Sequence, residues 1–127
     1  MRESDIQRAC LDYLDAKRIM YLRLNAGDSF RPGANGKLYK VRGAMKGCAD
    51  LLILASSKES YLTMLDKKTM TCELKEKACP RPIFVEFKAE KGRQSVEQAT
   101  FEYDVAQLGY EYHIIRDLDE LMKVMEG

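Results

Sequence analysis

The sequence has very little of the residues from which zinc sites are built. It contains a single histidine, His113, and its four cysteines form no Cys-x-x-Cys pair. Because structural zinc sites use four closely spaced cysteine or histidine ligands, we expect no zinc here. We interpret the cysteines as reduced, partly buried small residues, with Cys10 on the apolar face of a helix.

Long apolar runs and a strong net charge are also missing. The longest apolar run, Leu51 to Ala55, is far shorter than the roughly 20 residues that a membrane-spanning helix needs. The first residues show no secretory signal pattern, so the sequence predicts a cytoplasmic protein without membrane contact. A net charge of +1 excludes nucleic-acid binding by overall charge alone. The length of 127 residues fits a single domain, 1–127.

Positive charge is concentrated in one segment. Between residues 31 and 46 the chain has five cations and no acidic residue, interleaved with three glycines and a tyrosine. We interpret the segment as a mobile basic loop that contacts DNA phosphates; a solvated surface loop explains the same pattern equally well. The predicted DNA-binding residues are Arg31, Lys37, Lys40, Arg42 and Lys46.

Hydrophobic periodicity predicts an α/β fold with a mixed central sheet flanked by helices. Ser4 and Gln7 predict a capping box at the start of the first helix. The interval 56–82 is polar and predicts an inserted β-hairpin with two short strands, 61–65 and 70–74. The other predicted elements are a helix at 4–18, strands at 19–24, 50–55, 83–88 and 110–115, a helix at 95–108 and a C-terminal helix after Asp117.

Three charged residues at the ends of two apolar strands predict a catalytic site. Glu86 and Lys88 lie two residues apart, so they project from one face of their strand while Phe87 packs on the other. Asp50 opens the other apolar strand and converges on them if the two strands are neighbours. Two carboxylates with open positions for water and phosphate oxygens suit Mg²⁺, and the Phe87 carbonyl is a candidate further ligand. The pattern favours hydrolysis of a phosphodiester.

Each of these residues also has a simpler interpretation. Glu73 and Lys75 repeat the Glu-x-Lys pattern, although in a polar segment, and Glu86 with Lys88 fits a surface ion pair. Ser95 and Gln98 fit a capping box, and Glu3 fits an exposed acid at a helix start.

Four short motifs in this order resemble the virus-type replication-repair nuclease (VRR-NUC) domain of the restriction-endonuclease-like superfamily. They span nearly the whole chain, to about Arg116, and the segment 56–82 departs from the family pattern. The motifs are Glu3-Ser4-Asp5-Ile6-Gln7, Gly47-Cys48-Ala49-Asp50-Leu51, Val85-Glu86-Phe87-Lys88-Ala89-Glu90-Lys91-Gly92 and Ser95-Val96-Glu97-Gln98.

The resemblance implies a restriction-endonuclease-like fold and an endonuclease that uses Mg²⁺ or Mn²⁺ and no small-molecule cofactor. It implies Asp50 and Glu86 as metal ligands, Lys88 as the catalytic lysine, and Gln98 orienting the site. Glu3 would contribute from the first helix, directly or indirectly. Stand-alone members resemble viral enzymes that cut branched DNA such as four-way (Holliday) junctions as homodimers, in DNA repair. A viral member would work in the cytoplasm of its bacterial host.

Two other functions fit the sequence. One is a DNA-binding module of the same fold that does not cut, although the presence of all five expected site residues speaks against it. The other is an α/β interaction domain independent of nucleic acid, with the hairpin as its partner surface; the glycine-spaced basic segment speaks weakly against that. The insertion 56–82 itself is compatible with contact to DNA, contact to a partner subunit, or neither.

Overall fold

A computed structural model describes residues 2–24, 29–41 and 46–127. Its elements, in chain order, are α1 (Glu3–Ala16), β1 (Tyr21–Arg23), β2 (Ser29–Pro32), β3 (Leu38–Val41), β4 (Leu51–Asp66), β5 (Thr71–Phe87), α2 (Val96–Gln107), β6 (Glu111–Ile115) and α3 (Leu118–Glu126).

Four strands form the main sheet in the order β1-β4-β5-β6. The first three are antiparallel to their neighbours, whereas β6 runs parallel to β5. The predicted mixed sheet flanked by helices is therefore confirmed. Because β4 and β5 are neighbours, the condition that the sequence set for Asp50 to approach Glu86 is also met.

The two faces of the sheet pack against different helices. Odd-numbered side chains of β4, β5 and β6 form the buried core with α1 and α3, since alternate residues of a strand point to one face. On the other face the rings of Phe84 and Tyr112 contact Phe101 of α2. The fully buried core residues are Ile6, Cys10, Leu14, Leu51, Ile53, Ile83, Val85, Phe87, Ile115 and Leu121.

The start of α1 differs from the prediction. The helix begins at Glu3, its N-cap is Arg2, and no side chain caps it. Ser4 therefore lies inside the first turn, so the predicted capping box with Gln7 is wrong. The apolar period that the sequence predicted is present, because Ile6, Cys10 and Leu14 are the buried residues of this helix.

The basic segment is not a continuous loop. Strands β2 and β3 pair antiparallel as a separate two-stranded sheet around the turn 33–37. Backbone pairing of Pro32 with Leu38 closes this hairpin. The prediction of a mobile loop was wrong for these residues because alternation over the four residues of each strand was too short to read against the glycines. Residues 42–45 lie outside the described part of the chain.

The insertion is a hairpin, as predicted, but its strands are not separate short ones. Strands β4 and β5 continue without a break from the core, pairing from Leu51–Val85 out to Asp66–Thr71, with one irregularity between Met64 and Asp66. We name the part that leaves the sheet, residues 56–80, the arm.

The described helices include none that is long and apolar enough to cross a membrane. The four cysteines are free: Cys10 and Cys48 are buried, Cys79 is half-buried and Cys72 is exposed. The prediction of reduced, partly buried thiols is thus wrong only in the exposure of Cys72, which lies on the arm.

Candidate active site

Asp50 and Glu86 meet where β4 begins and β5 ends. The pairing of Leu51 with Val85 is the first of the β4–β5 ladder, and the two acids come immediately beyond it. The Asp50 N–H donates to the Val85 carbonyl over 2.9 Å, which keeps the chain paired up to this point. The sheet itself therefore holds the two carboxylates at one edge.

The Asp50 carboxylate is fixed by the backbone of the other strand. Its Oδ2 accepts a hydrogen bond of 2.7 Å from the Phe87 N–H. Burial raises the pKa of Asp50, while that N–H and the nearby Lys88 ammonium act in the opposite direction. Lys88 is thus close enough to Asp50 for their charges to interact, so the three residues predicted to act together do lie together.

Glu86 is a buried carboxylate with an oxygen to spare. Only 1% of the residue is exposed, and it is the single charged residue among the buried ones that the structure describes. Its Oε1 accepts a hydrogen bond of 2.5 Å from the Tyr112 hydroxyl, whereas Oε2 is buried without a partner among the described residues. A buried anion with an empty lone pair is costly unless a cation or proton meets it.

Tyr112 was missed by the sequence interpretation. Strand β6 places it one alternation before Ile114, the residue paired with Glu86, so Tyr112 and Glu86 share the face covered by α2. Burial and then the Glu86 carboxylate raise the pKa of the Tyr112 phenol, so this hydroxyl keeps its proton and donates. No local pattern marks Tyr112, because its role depends on the parallel pairing of β5 with β6.

The segment after Lys88 is held by Arg116, a second residue that the sequence did not single out. The Arg116 Nη1 donates to three carbonyls, those of Ala89 at 2.6 Å, Glu90 at 3.2 Å and Gly92 at 3.0 Å. The Lys88 N–H also donates to the Ile115 carbonyl over 3.1 Å. These bonds fix the direction in which the chain leaves the catalytic strand.

Gly47 explains how the segment before Asp50 is seated. Its φ is +82°, and a Cβ there would lie 2.5 Å from the Glu97 backbone carbon. Only glycine permits so close an approach to the first turn of α2 in this conformation. The Lys46 ammonium lies 3.4 Å from the Glu97 carboxylate and adds a surface ion pair at the same place.

Gln98 and Glu3 have the simpler environments that the sequence left open. Ser95 and Gln98 form a capping box: Gln98 Oε1 accepts from the Ser95 N–H at 2.9 Å and Ser95 Oγ accepts from the Gln98 N–H at 3.2 Å. Glu3 is exposed, and among the described residues its side chain makes no hydrogen bond or ion pair. No described contact joins either residue to Asp50 or Glu86.

The competing pair Glu73 and Lys75 lies on the arm. Both side chains are about half exposed, and they contact each other at 3.9 Å. No buried carboxylate oxygen accompanies them, in contrast to Glu86. The local alternative of a surface ion pair therefore describes Glu73 and Lys75 rather than Glu86 and Lys88.

The predicted DNA-binding residues are only partly described. Lys37 is exposed at the turn of the β2–β3 hairpin, and Lys46 contacts Glu97. The side chains of Arg31, Lys40 and Arg42 lie outside what the structure describes, so their prediction stays open.

The donor set was tested against the expected divalent cation. Among the described residues no three histidine, cysteine, aspartate or glutamate side chains cluster closely enough to hold a metal. Two carboxylates do meet, and Glu86 Oε2 has no partner. This set fits Mg²⁺ or Mn²⁺, which commonly take one or two carboxylates and complete their shell with water and phosphate oxygens.

The largest surface hollow is elsewhere. It has a volume of about 430 Å³ between α1 and β1, and its lining includes Arg8, Asp12, Asp15 and Arg23 but none of the three candidate catalytic residues. Its charges balance and the Tyr21 hydroxyl already donates to Asp15 at 2.9 Å. We therefore place the candidate active site at the sheet edge and not in this hollow.

A scan of protein-family models, a search of curated protein sequences and a search of solved structures each gave no match to this chain. The functional argument rests on its own residues.

Proposed function

We propose that this protein is a metal-dependent DNA endonuclease with a restriction-endonuclease-like fold of the virus-type replication-repair nuclease kind. The observation that carries the proposal is the buried, half-satisfied Glu86 carboxylate beside Asp50 and Lys88. A structural carboxylate at this position would be expected to have both oxygens hydrogen-bonded. The proposed location is the cytoplasm, that of a bacterial host if the protein is viral.

In this proposal Asp50 and Glu86 hold Mg²⁺ or Mn²⁺, with the Phe87 carbonyl as a further oxygen ligand. The ion supplies charge neutralisation at the phosphate and lowers the pKa of a bound water. The Phe87 N–H orients Asp50 and the Tyr112 hydroxyl orients Glu86, so the carboxylates are positioned before substrate arrives. Lys88 orients the attacking water and stabilises the charge that develops on the phosphate. Gln98 and Glu3 stay predicted supporting residues.

The proposed substrate is branched DNA, with four-way junctions as the first choice, and the proposed assembly is a homodimer. Two identical sites related by a two-fold axis suit paired cuts in opposite strands of a symmetric junction. Positive side chains of the β2–β3 hairpin and of Lys46 are proposed to contact phosphates.

The direct test incubates the purified protein with a labelled four-way junction and with a linear duplex of matched sequence. We expect cutting in Mg²⁺ or Mn²⁺, no cutting in EDTA, and faster cutting of the junction. Binding of both DNAs without cutting under any metal condition would overturn the nuclease proposal. Equal cutting of the two DNAs would overturn only the preference for branched substrates.

Removing the hydroxyl of Tyr112 is expected to weaken metal binding. In Tyr112→Phe the Glu86 carboxylate loses its only described hydrogen bond, so it is no longer held in one orientation. Loss of such a supporting bond commonly lowers metal affinity about 10- to 100-fold. Calorimetric titration of the protein with Mn²⁺ in the absence of DNA measures this directly.

Tyr110→Phe is the matched control for that variant. The Tyr110 ring also contacts Phe84, at 6.0 Å between ring centres, but its hydroxyl has no hydrogen bond among the described residues. The same atom is removed in both variants. Equal Mn²⁺ affinity of Tyr112→Phe and Tyr110→Phe would show that Tyr112 does not position Glu86.

A further inference from the structure

The arm is a two-stranded ribbon that lacks lateral support. Strand β1 pairs with β4 only at residues 51–53, and β6 pairs with β5 only at residues 83–87. Within the described chain, residues 56–80 therefore pair only with one another. An isolated two-stranded hairpin is marginally stable in water, and unpaired edges invite association. A long ordered arm of this kind needs a surface to cover.

The two faces of the arm differ in chemistry. The odd-numbered face has charges that neutralise one another: Lys75 contacts Glu73 at 3.9 Å and Lys77 contacts Glu59 at 4.0 Å. Lys77 also lies 5.9 Å from the centre of the Tyr61 ring. Because these lysines already have acidic partners, this face is poorly suited to DNA phosphates.

The even-numbered face is apolar and exposed. Leu62 pairs with Leu74, and Met64 pairs with Cys72. The exposed fractions are 68% for Leu62, 50% for Met64 and 66% for Leu74. We name these four residues the arm patch. Contiguous exposed apolar side chains of this kind mark an interaction surface rather than a solvated one.

A second apolar patch lies on the same face of β4, nearer the core. Leu54 is exposed there, and Leu22 is exposed on β1 beside its paired residue Leu52. We name Leu22, Leu52 and Leu54 the body patch. Between the two patches the same face has a polar belt, with Lys58 at 3.9 Å from Glu76.

The spacing of the two patches makes this face its own complement. Leu54 and Leu62 are eight residues apart, which is about 26 Å along a strand. A two-fold rotation about Lys58 places Leu62 of one copy over Leu54 of the other, and Met64 over Leu52. Each copy brings one lysine and one glutamate to the axis, so the facing belts carry equal opposite charge.

We propose that two copies of this chain stack these faces reciprocally, each arm patch covering the body patch of the other copy. A face about 40 Å long and about 12 Å wide covers roughly 1,000 Å² over the two copies, which reaches the lower limit of about 1,000 Å² for a specific interface. The occupant is thus a second copy, and dissociation in the micromolar range is expected. The inference does not depend on the proposed nuclease activity.

Sedimentation velocity over a range of micromolar concentrations tests the interface. We expect a reversible dimer, with dimer affinity lowered at least 10-fold in both Leu62→Glu and Leu54→Glu, since each places a charge in the apolar contact. Tyr61→Glu is the control on the opposite face of the arm and should dimerise like the parent protein. Circular dichroism verifies that all variants fold. A monomeric parent protein would overturn the proposal.

Disulfide trapping tests the reciprocal arrangement, in a Cys72→Ser background so that no native thiol lies on the arm patch. Mixed and oxidised, a chain with Leu54→Cys and a chain with Leu62→Cys should form a linked heterodimer. The Leu62→Cys chain alone should not link to itself, because the rotation sets its two copies far apart. Self-linking of Leu62→Cys would show arm-on-arm packing instead and overturn the arrangement. DNA binding lost in Leu62→Glu at unchanged mass would assign the arm to DNA.

Discussion

Lys88→Ala is expected to lower metal-dependent DNA cleavage by at least about 100-fold. Lys88 is the cation nearest the buried acids whose charge acts on Asp50, and its removal leaves the developing charge on phosphate without that partner. Its side chain is half-buried at the strand end and not part of the core. The variant should therefore keep its circular dichroism spectrum, and single-turnover cleavage of a labelled junction measures the loss.

Lys75→Ala is the control for that result, because Lys75 repeats the same Glu-x-Lys spacing on the arm. Its ion pair with Glu73 is exposed, and such pairs contribute about 0–1 kcal/mol. Cleavage per folded molecule should be unchanged. If Lys75→Ala abolished cleavage and Lys88→Ala did not, the site would lie on the arm and the assignment of Glu86 would be wrong.

Glu86→Gln separates metal binding from the lysine's role. The amide keeps the size of the buried side chain but removes its charge, so Mn²⁺ affinity should fall together with cleavage. Lys88→Ala should leave Mn²⁺ affinity nearly unchanged while cleavage falls. Parallel loss of both properties in both variants would contradict the separate roles proposed for the two residues.

The elements that position the site could be predicted because their patterns are local. An apolar run followed by charges indicates a buried strand that ends at a surface, as at Ile83 to Lys88, and the two-residue spacing places Glu86 and Lys88 on one face. The amphipathic period of α1 is equally local. The proximity of Asp50 to Glu86 required one further assumption, that β4 and β5 are neighbours.

The contacts that complete the site could not be predicted because they join distant segments. Tyr112 reaches Glu86 only through the parallel β5–β6 pairing, and Arg116 reaches the carbonyls of residues 89–92 across the same pair of strands. The arm was interpreted as two short strands because its polar residues interrupt the apolar alternation. Those polar residues instead form cross-strand ion pairs, which permit a continuous ribbon in water.

Gly47→Ala is expected to destabilise the protein by about 2–5 kcal/mol and to displace Asp50. A non-glycine residue at φ +82° costs about 1–2 kcal/mol. The new methyl group would also lie 2.5 Å from the Glu97 backbone carbon and 2.6 Å from its carbonyl oxygen, and overpacking against a fixed backbone adds about 1–3 kcal/mol. Urea unfolding followed by circular dichroism measures the sum.

Gly109→Ala isolates the second contribution. Gly109 has a φ of +92°, yet a Cβ there would meet nothing within 4 Å, so only the backbone strain of about 1–2 kcal/mol applies. The difference between the two variants is the energetic cost of separating the segment before Asp50 from the first turn of α2. Because Gly47 lies three residues before Asp50, that separation should lower Mn²⁺ affinity in Gly47→Ala even where the protein is fully folded. Equal unfolding free energies and equal Mn²⁺ affinities for the two variants would show that this close approach does not position the carboxylate.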